Sequence, residues 1–212
     1  MNLKNTKILI TAGPTWVKLD KVRVISNIAS AKTGIILANK FVKAGARVTL
    51  FLGPVGEVGL GARIKVRRYR FFEELAAILK RELLSKRYDI VIHSAAVSDY
   101  KPKKILATKL KSGVKNLKLN LGPTPKLVNR IKNYADKVLL VMFKLELGVS
   151  KKILLERARK AMRSAGADLC VANTFSKNGY KAFIVGKDRV FCVANSKEKL
   201  AKKLLDVIRS EE

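Results

Sequence analysis

Short apolar segments alternate with longer amphipathic ones along almost the whole chain, and this alternation restricts the fold more than any other feature. The short segments predict buried strands, and the longer ones carry apolar residues at helical spacing. The predicted strands cover residues 7–13, 46–52, 63–70, 88–96, 138–143, 168–172, 182–185 and 190–193, and the predicted helices cover 30–44, 72–85, 124–134, 151–165 and 196–208. Such a chain is expected to form an α/β fold with a Rossmann-like, doubly wound, mostly parallel sheet.

The segment 100–122 interrupts this alternation, and we call it the basic flap. Residues 100–113 are rich in lysine and predict a loop, whereas residues 114–121 alternate apolar and polar side chains as an exposed strand or hairpin arm would. A length of 212 residues suits one or two domains of ~100–200 residues each. Because the sequence shows no repeat and no low-complexity linker, we expect one domain over residues 1–212, with the basic flap as an excursion from it.

Basic residues greatly outnumber acidic ones. The chain has 45 Lys and Arg against 16 Asp and Glu, which gives a formal net charge of +29. Residues 21–56 contain six basic and no acidic residues, and residues 101–135 contain ten basic and no acidic residues. This excess favours a polyanionic partner, and a nucleotide is sufficient. Nucleic acid is disfavoured as a partner because the sequence has no RNP, KH or zinc-finger pattern, and most of the lysines are expected on a solvated surface.

Histidine and cysteine are too few for several kinds of site. His93 is the one histidine, so a multi-histidine metal site is excluded and a Ser-His-Asp triad would need it as the base. Cys170 and Cys192 cannot form a disulfide framework or a four-ligand zinc site. No apolar run reaches the ~18 residues of a membrane span, and apolar residues 8–10 are too few for a signal peptide. We therefore expect a reduced, cytoplasmic protein.

Ligand binding is expected beyond the carboxyl ends of the strands, where residues 13–15, 94–99 and 143–146 lie. The first connection lacks G-x-G-x-x-G, which disfavours a dinucleotide-binding oxidoreductase, although its helix start can receive a phosphate. Lys109 can clamp a triphosphate, and Asp99 can bind a ribose, a base amino group or a hydrated metal. Each also has a purely structural interpretation: Lys109 as a solvent-facing lysine, and Asp99 as the cap of a turn. Phe143 is either a base-stacking residue or a core residue.

Four motifs, taken in order, resemble those of the phosphopantothenoylcysteine synthetase family, the phosphopantothenate–cysteine ligases of coenzyme A biosynthesis. The first is ILITAGPT followed by D-x-V-R-x-I-S-N at residues 20–27, and the second is AAVSDY at 95–100. The third is Lys109-Leu-Lys111, ten residues after Asp99. The fourth combines FKLE at 143–146, ARK at 158–160 and VAN at 171–173. The resemblance covers nearly the whole chain.

The resemblance implies a homodimer whose protomers share parts of the active site, and a reaction that uses CTP or ATP with Mg²⁺. The carboxylate of 4′-phosphopantothenate attacks the α-phosphorus, which releases pyrophosphate and leaves an acyl-nucleotidylate. The amine of cysteine then displaces the nucleotide and forms an amide. A phosphopantothenoylcysteine decarboxylase has no room in 212 residues, so the resemblance implies a standalone ligase with a separate decarboxylase as partner. The alternatives are an NAD(P)-binding oxidoreductase and a nucleic-acid-binding protein on an inactive synthetase fold.

The resemblance also implies roles for individual residues. Asn27 would hold the activated carbonyl, and Lys109 would stabilise the triphosphate and the leaving pyrophosphate; these are the expected catalytic residues. The expected substrate-binding residues are Arg23, Ser26 and Asn27. The expected nucleotide-binding residues are Gly13, Ser94, Ala95, Ala96, Asp99, Lys109, Thr124, Pro125, Lys126, Leu127, Phe143 and Lys160. No metal ligand is assigned.

Three residues depart from the pattern of that family. Ala29 and Ala31 stand where its S-N-x-S-S-G motif has a serine and a glycine, and Lys126 stands in place of an aspartate. The changes remove a hydroxyl group, add a Cβ atom near the expected ligand and reverse a charge. They bear on the substrate details and the choice of nucleotide more than on the class of reaction.

Overall fold

The computed structural model describes residues 3–56, 59–85, 87–177 and 179–210, so the ends of the predicted domain lie outside the described residues. The strands are β1 (Lys7–Ala12), β2 (Trp16–Lys18), β3 (Val24–Ser26), β4 (Arg47–Leu52), β5 (Lys65–Arg68), β6 (Ile90–His93), β7 (Tyr100–Pro102), β8 (Leu121–Pro123), β9 (Leu139–Leu145), β10 (Leu169–Ser176), β11 (Gly179–Val185) and β12 (Val190–Ala194). The helices are α1 (Lys32–Lys43), α2 (Phe72–Ser85), α3 (Val128–Tyr134), α4 (Lys151–Ala165) and α5 (Lys197–Ser210).

Eight of these strands form one sheet in the order β12-β11-β10-β9-β6-β1-β4-β5. Neighbouring strands from β10 to β5 are parallel, whereas β11 and β12 run antiparallel at one edge. The chain extends outward from β1 in both directions, so the strand order reverses between β1 and β6. The predicted Rossmann-like, doubly wound, mostly parallel fold is confirmed.

Alternate residues of the central strands face two cores, one on each side of the sheet. On β1, Ile8 and Ile10 pack with α1 and α5, whereas Leu9 packs with α2, α3 and α4. All three side chains are fully buried, and each contributes roughly 1.5–3 kcal/mol to the free energy of unfolding. Because helices cover both faces of the parallel sheet, its strands are apolar throughout rather than alternating.

Two helices begin later than the sequence predicts. Helix α3 begins at Val128 rather than at residue 124, because Thr124 is held against the segment after β6: its hydroxyl donates to the Ser98 carbonyl oxygen at 2.5 Å and its amide donates to the Asp99 carbonyl oxygen at 2.9 Å. Helix α1 begins at Lys32 rather than at residue 30, since Ala31 before it has a left-handed backbone with φ of 58°. Ser196 caps α5, because its Oγ accepts from the Lys199 amide at 3.0 Å.

Two small two-stranded sheets lie outside the main sheet. The connection after β1 contains a hairpin of β2 and β3, and β7 pairs with β8 in the basic flap. The strand or hairpin arm predicted over 114–121 is wrong for most of its length, because only Leu121 lies in a strand, β8, although the Asn120 carbonyl oxygen accepts from the Lys103 amide at 3.0 Å. Val114, Leu117 and Leu119 are consequently 50%, 45% and 42% exposed.

Candidate functional site

A cavity of about 990 Å³ opens at the carboxyl ends of β1, β6 and β9. It lies where the strand order reverses, which is the usual binding position in open α/β sheets. Residues from all three predicted strand ends line it. Of the predicted site residues, the cavity contains Gly13, Asn27, Ser94, Ala95, Ala96, Asp99, Thr124, Pro125, Lys126, Leu127, Phe143 and Lys160.

The segments after β1 and β6 are held together by backbone hydrogen bonds. The Ala96 amide donates to the Gly13 carbonyl oxygen at 2.9 Å, and the Thr15 amide donates to the Ala96 carbonyl oxygen at 3.3 Å. Gly13 has φ of 87°, and a Cβ atom there would lie 3.1 Å from the Gly53 nitrogen. Glycine is therefore required at this turn for both its backbone conformation and its lack of a side chain.

Asn27 lies at the rim of the cavity with its amide group fixed. Its Nδ2 donates to the carbonyl oxygens of Ala96 and Val97, both at 3.2 Å. Within the described chain no group donates to its Oδ1. These bonds orient the side chain before any ligand arrives, which is what a residue that positions a reacting group needs.

A buried network joins the segment that carries Asp99 to the start of α3. The Ser98 amide donates to Thr15 Oγ1 at 2.9 Å, and the Thr124 amide donates to the Asp99 carbonyl oxygen at 2.9 Å. At the surface of this network Lys126 Nζ lies 2.5 Å from Asp99 Oδ1, and both side chains are more than half exposed. An exposed pair of this kind contributes little to stability. Because both side chains are more than half exposed, both groups are accessible to a ligand.

The cavity is lined by six cations, and half of them have carboxylate partners among the described residues. Lys126 pairs with Asp99, and Glu146 binds both Lys144 at 3.1 Å and Arg157 at 2.6 Å. Burial alone would raise the pKa of Glu146, but Lys144 and Arg157 outweigh it and lower that pKa. The other three cavity cations, which have no ion pair with a described residue, are Lys32, Lys160 and Lys197.

Sequence reasoning missed many residues of the cavity, and three of them are informative: Asn173, Phe175 and Lys197. Asn173 and Phe175 lie at the carboxyl end of β10, which is parallel to β9 and therefore ends at the same edge of the sheet. The period-two alternation of strands puts both on one face, and this signal could have identified them. Lys197 comes from the start of α5, almost at the end of the chain, and no local pattern marks it.

Three predicted site residues do not line the cavity of their own chain: Arg23, Ser26 and Lys109. Ser26 lies beside it, with its Oγ donating to the Asn27 carbonyl oxygen at 3.1 Å. Arg23 lies in the turn between β2 and β3, and its Nη1 is 3.4 Å from Asp20 Oδ2. Lys109 is exposed in the basic flap.

Asp20 connects the β2–β3 turn to the basic flap. This carboxylate is only 2% exposed. It accepts from the amides of Val22 and Arg23, both at 2.7 Å, and from the amide of Leu110 at 3.0 Å. The bond from Leu110, followed by those from Val22 and Arg23, lowers the pKa of Asp20 despite its burial. One carboxylate therefore holds the segments that carry both Arg23 and Lys109.

We expect Asp20→Asn to loosen the basic flap. The charged carboxylate is a stronger acceptor than an amide, so protection of the Leu110 amide from hydrogen exchange should fall about tenfold at pH 6. In the unchanged protein the native pKa lies below the ordinary value of 3.8, so protection should persist above about pH 4 and be lost as the pH falls through the native pKa. Glu73→Gln, which removes the exposed pair with Lys101, is the control. Equal protection in all three proteins would contradict the role of Asp20.

His93 lies in the floor of the cavity and is buried. Its Nδ1 is 2.9 Å from Thr11 Oγ1, and burial lowers the pKa of His93 to about 4. The imidazole is therefore neutral at physiological pH, as is typical of a histidine packed in the interior.

The burial of His93 makes stability depend on pH. Between pH 6.5 and 4 the unfolded chain takes up a proton that the native chain does not, so His93 lowers the free energy of unfolding as the pH falls. From pH 7 to 4.5 this loss should be about 2 kcal/mol. Urea unfolding of the protein and of His93→Gln at both pH values measures it. Parallel pH dependence in the two proteins would contradict the buried neutral imidazole.

The described ranges contain no group of three His, Cys, Asp or Glu side chains that could hold a metal ion. None of the helices in those ranges combines the length and the apolar composition that a membrane-spanning helix requires.

The fold and the cavity define an α/β protein with a Rossmann-like sheet and a preformed ligand site at its switch point. The chain belongs to the family of the DNA/pantothenate metabolism flavoprotein C-terminal domain, whose model matches residues 3–211. The family resemblance predicted from the four motifs is confirmed.

Comparisons with individual proteins agree with this assignment. The chain is 37% identical to the coenzyme A biosynthesis bifunctional protein CoaBC of Thermococcus kodakarensis, over 98% of this chain and 52% of that protein. It thus spans about half the length of the curated relatives it matches. Among solved structures, the DNA/pantothenate metabolism flavoprotein from Streptococcus pneumoniae superposes with a TM-score of 0.87 at 26% identity, covering 98% of this chain and all of that one. The C-terminal domain of CoaBC superposes with a TM-score of 0.77 at 26% identity, covering 98% and 96%.

Proposed function

We propose that this chain is a ligase of coenzyme A biosynthesis that joins 4′-phosphopantothenate to cysteine through an acyl-nucleotidylate formed from CTP or ATP. The observation that carries the proposal is the switch-point cavity, in which Asn27 is fixed on two carbonyl oxygens beside three cations that form no ion pair with a described residue. The match to a coenzyme A biosynthesis protein along nearly the whole chain supports the same pathway.

The first step needs two anions to meet. A carboxylate oxygen of 4′-phosphopantothenate attacks the α-phosphorus, and the bond from that phosphorus to pyrophosphate breaks. Cations lower the repulsion between the two anions, and we assign this role to Lys160, which lines the cavity and has no carboxylate partner among the described residues. The backbone at Ala95 and Ala96, together with Phe143 and Asp99, forms the proposed nucleotide pocket.

The second step forms the amide. The cysteine amine attacks the acyl carbon, the bond from that carbon to the nucleotide oxygen breaks, and nucleoside monophosphate leaves as the amine loses a proton. Asn27 is proposed to hold the acyl carbonyl in line for this attack, because its side chain is already fixed by Ala96 and Val97.

We propose that Arg23 and Lys109 act in the cavity of a second copy of the chain, so that the enzyme is a homodimer. Both lie outside the cavity of their own chain, on segments joined by Asp20. The same region exposes large apolar side chains, which is typical of an interface. Those residues are Val22, Ile105, Val114, Leu117 and Leu119, which are 67%, 55%, 50%, 45% and 42% exposed.

Magnesium is proposed to enter as the complex of the nucleoside triphosphate, because Mg²⁺ in such sites is held largely by substrate phosphates. The described residues offer no dedicated cluster of ligands, and Asp99 is the one carboxylate among the described residues that line the cavity. We further propose that the protein acts in the cytoplasm and that its product is the substrate of a separate phosphopantothenoylcysteine decarboxylase.

Pyrophosphate release tests this proposal. Purified protein is mixed with 4′-phosphopantothenate, cysteine and magnesium, with CTP and ATP in separate reactions. Release that requires 4′-phosphopantothenate supports the ligase and identifies the nucleotide. Folded protein that releases none with either nucleotide would overturn the proposal, and would point to Ala29, Ala31 and Lys126 as marks of a changed substrate.

A further inference from the structure

A second cavity lies at the edge of the sheet opposite the candidate site. It has a volume of about 700 Å³ and opens at the amino ends of β1, β4 and β5. Its lining includes five basic side chains and no acidic one; the five are Lys7, Arg47, Arg63, Lys65 and Arg87. We call this cavity the basic groove. The proposed ligase reaction uses none of these five residues.

Three of the groove cations begin neighbouring strands. Lys7 of β1 is in register with Arg47 of β4, and Lys65 of β5 is in register with Thr49 of β4. Neighbouring strands lie about 4.8 Å apart, so these charges extend across roughly 10 Å of the sheet edge. Like charges on adjacent strands destabilise a sheet. An anion that spans the groove would remove that repulsion.

Carboxylates near the basic groove are engaged elsewhere. Glu82 binds Arg67 at 3.0 Å and accepts from the hydroxyl of Tyr88 at 2.7 Å. Asp89 accepts from the backbone amide of Lys7 at 2.7 Å. Across the parts of the chain that the structure describes, no ion pair joins a carboxylate to a groove cation. The five groove cations are therefore unpaired with respect to the described carboxylates.

Part of the groove wall is fixed by hydrogen bonds. Arg47 Nη2 donates to Asn5 Oδ1 at 3.0 Å, and the Asn5 amide donates to the Gly45 carbonyl oxygen at 3.1 Å. The hydroxyl of Tyr88 contacts Thr49 Oγ1 at 3.2 Å as well as Glu82. Tyr88 is the one aromatic residue among the described lining residues. The groove thus offers positive charge, which is fixed at Arg47, with little to recognise a base.

We propose that the basic groove binds the sugar-phosphate backbone of single-stranded nucleic acid without reading its sequence. A row of cations across three strands suits a chain of phosphates, because one small anion can contact only part of the row. Backbone contacts of this kind give affinity that does not depend on base identity. The net charge of +29 would also draw a polyanion towards the molecule over a distance.

The experiment compares two triple variants that lose the same charge. The groove variant carries Arg63→Ser, Lys65→Ser and Arg87→Ser, three exposed residues that form no ion pair with a described residue. The control variant carries Lys187→Ser, Lys199→Ser and Lys202→Ser, three exposed residues on the turn after β11 and on α5 that do not line the groove. Fluorescence anisotropy measures binding of a single-stranded RNA of mixed sequence over a series of salt concentrations. Pyrophosphate serves as a competitor, and ligase turnover is followed in parallel.

We expect the groove variant to bind RNA at least about tenfold more weakly than the control variant. The slope of the logarithm of its binding constant against the logarithm of the salt concentration should fall in magnitude by about 2, since each lost contact to a single strand removes about 0.7. Ligase turnover should be unchanged, so the result does not depend on the proposed function. Equal losses in both variants would show diffuse attraction and overturn the groove. If pyrophosphate displaces the labelled RNA as well as unlabelled RNA does at matched phosphate concentration, the groove is a small-anion site and the nucleic-acid assignment is overturned. Failure of the unchanged protein to bind RNA would overturn it as well.

Discussion

Replacement of Lys109 by alanine is expected to lower turnover about 10²–10³-fold, the usual cost of removing a group that stabilises developing charge in a transition state. Lys109 is exposed and makes no ion pair with a described residue, so its loss should leave the free energy of unfolding unchanged. The proposed role of this lysine is to neutralise the triphosphate and the departing pyrophosphate. Pyrophosphate release and urea unfolding of the same preparation measure both quantities.

Lys118→Ala is the matched control for this experiment. It removes one positive charge from the same basic flap, where Lys118 is also exposed. If the two variants lose activity equally, the flap acts through its overall charge rather than through one lysine. Near-normal turnover of Lys109→Ala would remove Lys109 from the mechanism.

Replacement of Asn27 by aspartate is expected to reduce amide formation by at least about 10²-fold. The structure gives two reasons. Both hydrogen bonds of the side chain are donated, to Ala96 and Val97, and a carboxylate would place acceptors against those carbonyl oxygens. The new negative charge would also repel the substrate carboxylate and the phosphates. If the first step survives better than the second, acyl-nucleotidylate should accumulate and be visible by mass spectrometry after rapid quenching.

Asn129→Asp controls for the added charge, because Asn129 also lines the cavity and its Nδ2 bonds only to Ser164 Oγ, at 3.1 Å, among the described residues. We expect a much smaller loss of activity from that variant. Undiminished amide product from Asn27→Asp would contradict the assigned role of Asn27.

Mixing the two inactive proteins tests whether Lys109 acts in the partner's cavity. A heterodimer of Lys109→Ala and Asn27→Asp chains would then contain one site with both residues intact, and random exchange of subunits should restore about a quarter of the full activity. If Lys109 acts within its own chain, every site lacks one residue and mixing restores nothing. Light scattering on the same mixtures establishes whether dimers form.

The sequence by itself determined the sheet and the position of its binding edge. Runs of apolar residues such as 8–10 and 90–92 can be buried only between two layers of helices, so the parallel sheet follows from local pattern. The carboxyl ends of its strands then mark the site, and the motifs there identified the family. Local pattern gave less at 114–121, where alternation predicted a strand or hairpin arm but only Leu121 lies in one, β8.

Only the tertiary structure decided which distant groups meet. Lys197 joins the cavity from the start of α5, and Asp20 accepts from the Leu110 amide of the basic flap. The basic groove likewise collects cations from three strands that are far apart in the chain. Such contacts depend on strand order and register, which arise from the packing of the whole sheet, whereas periodicity in a sequence reports only on the burial of neighbouring residues.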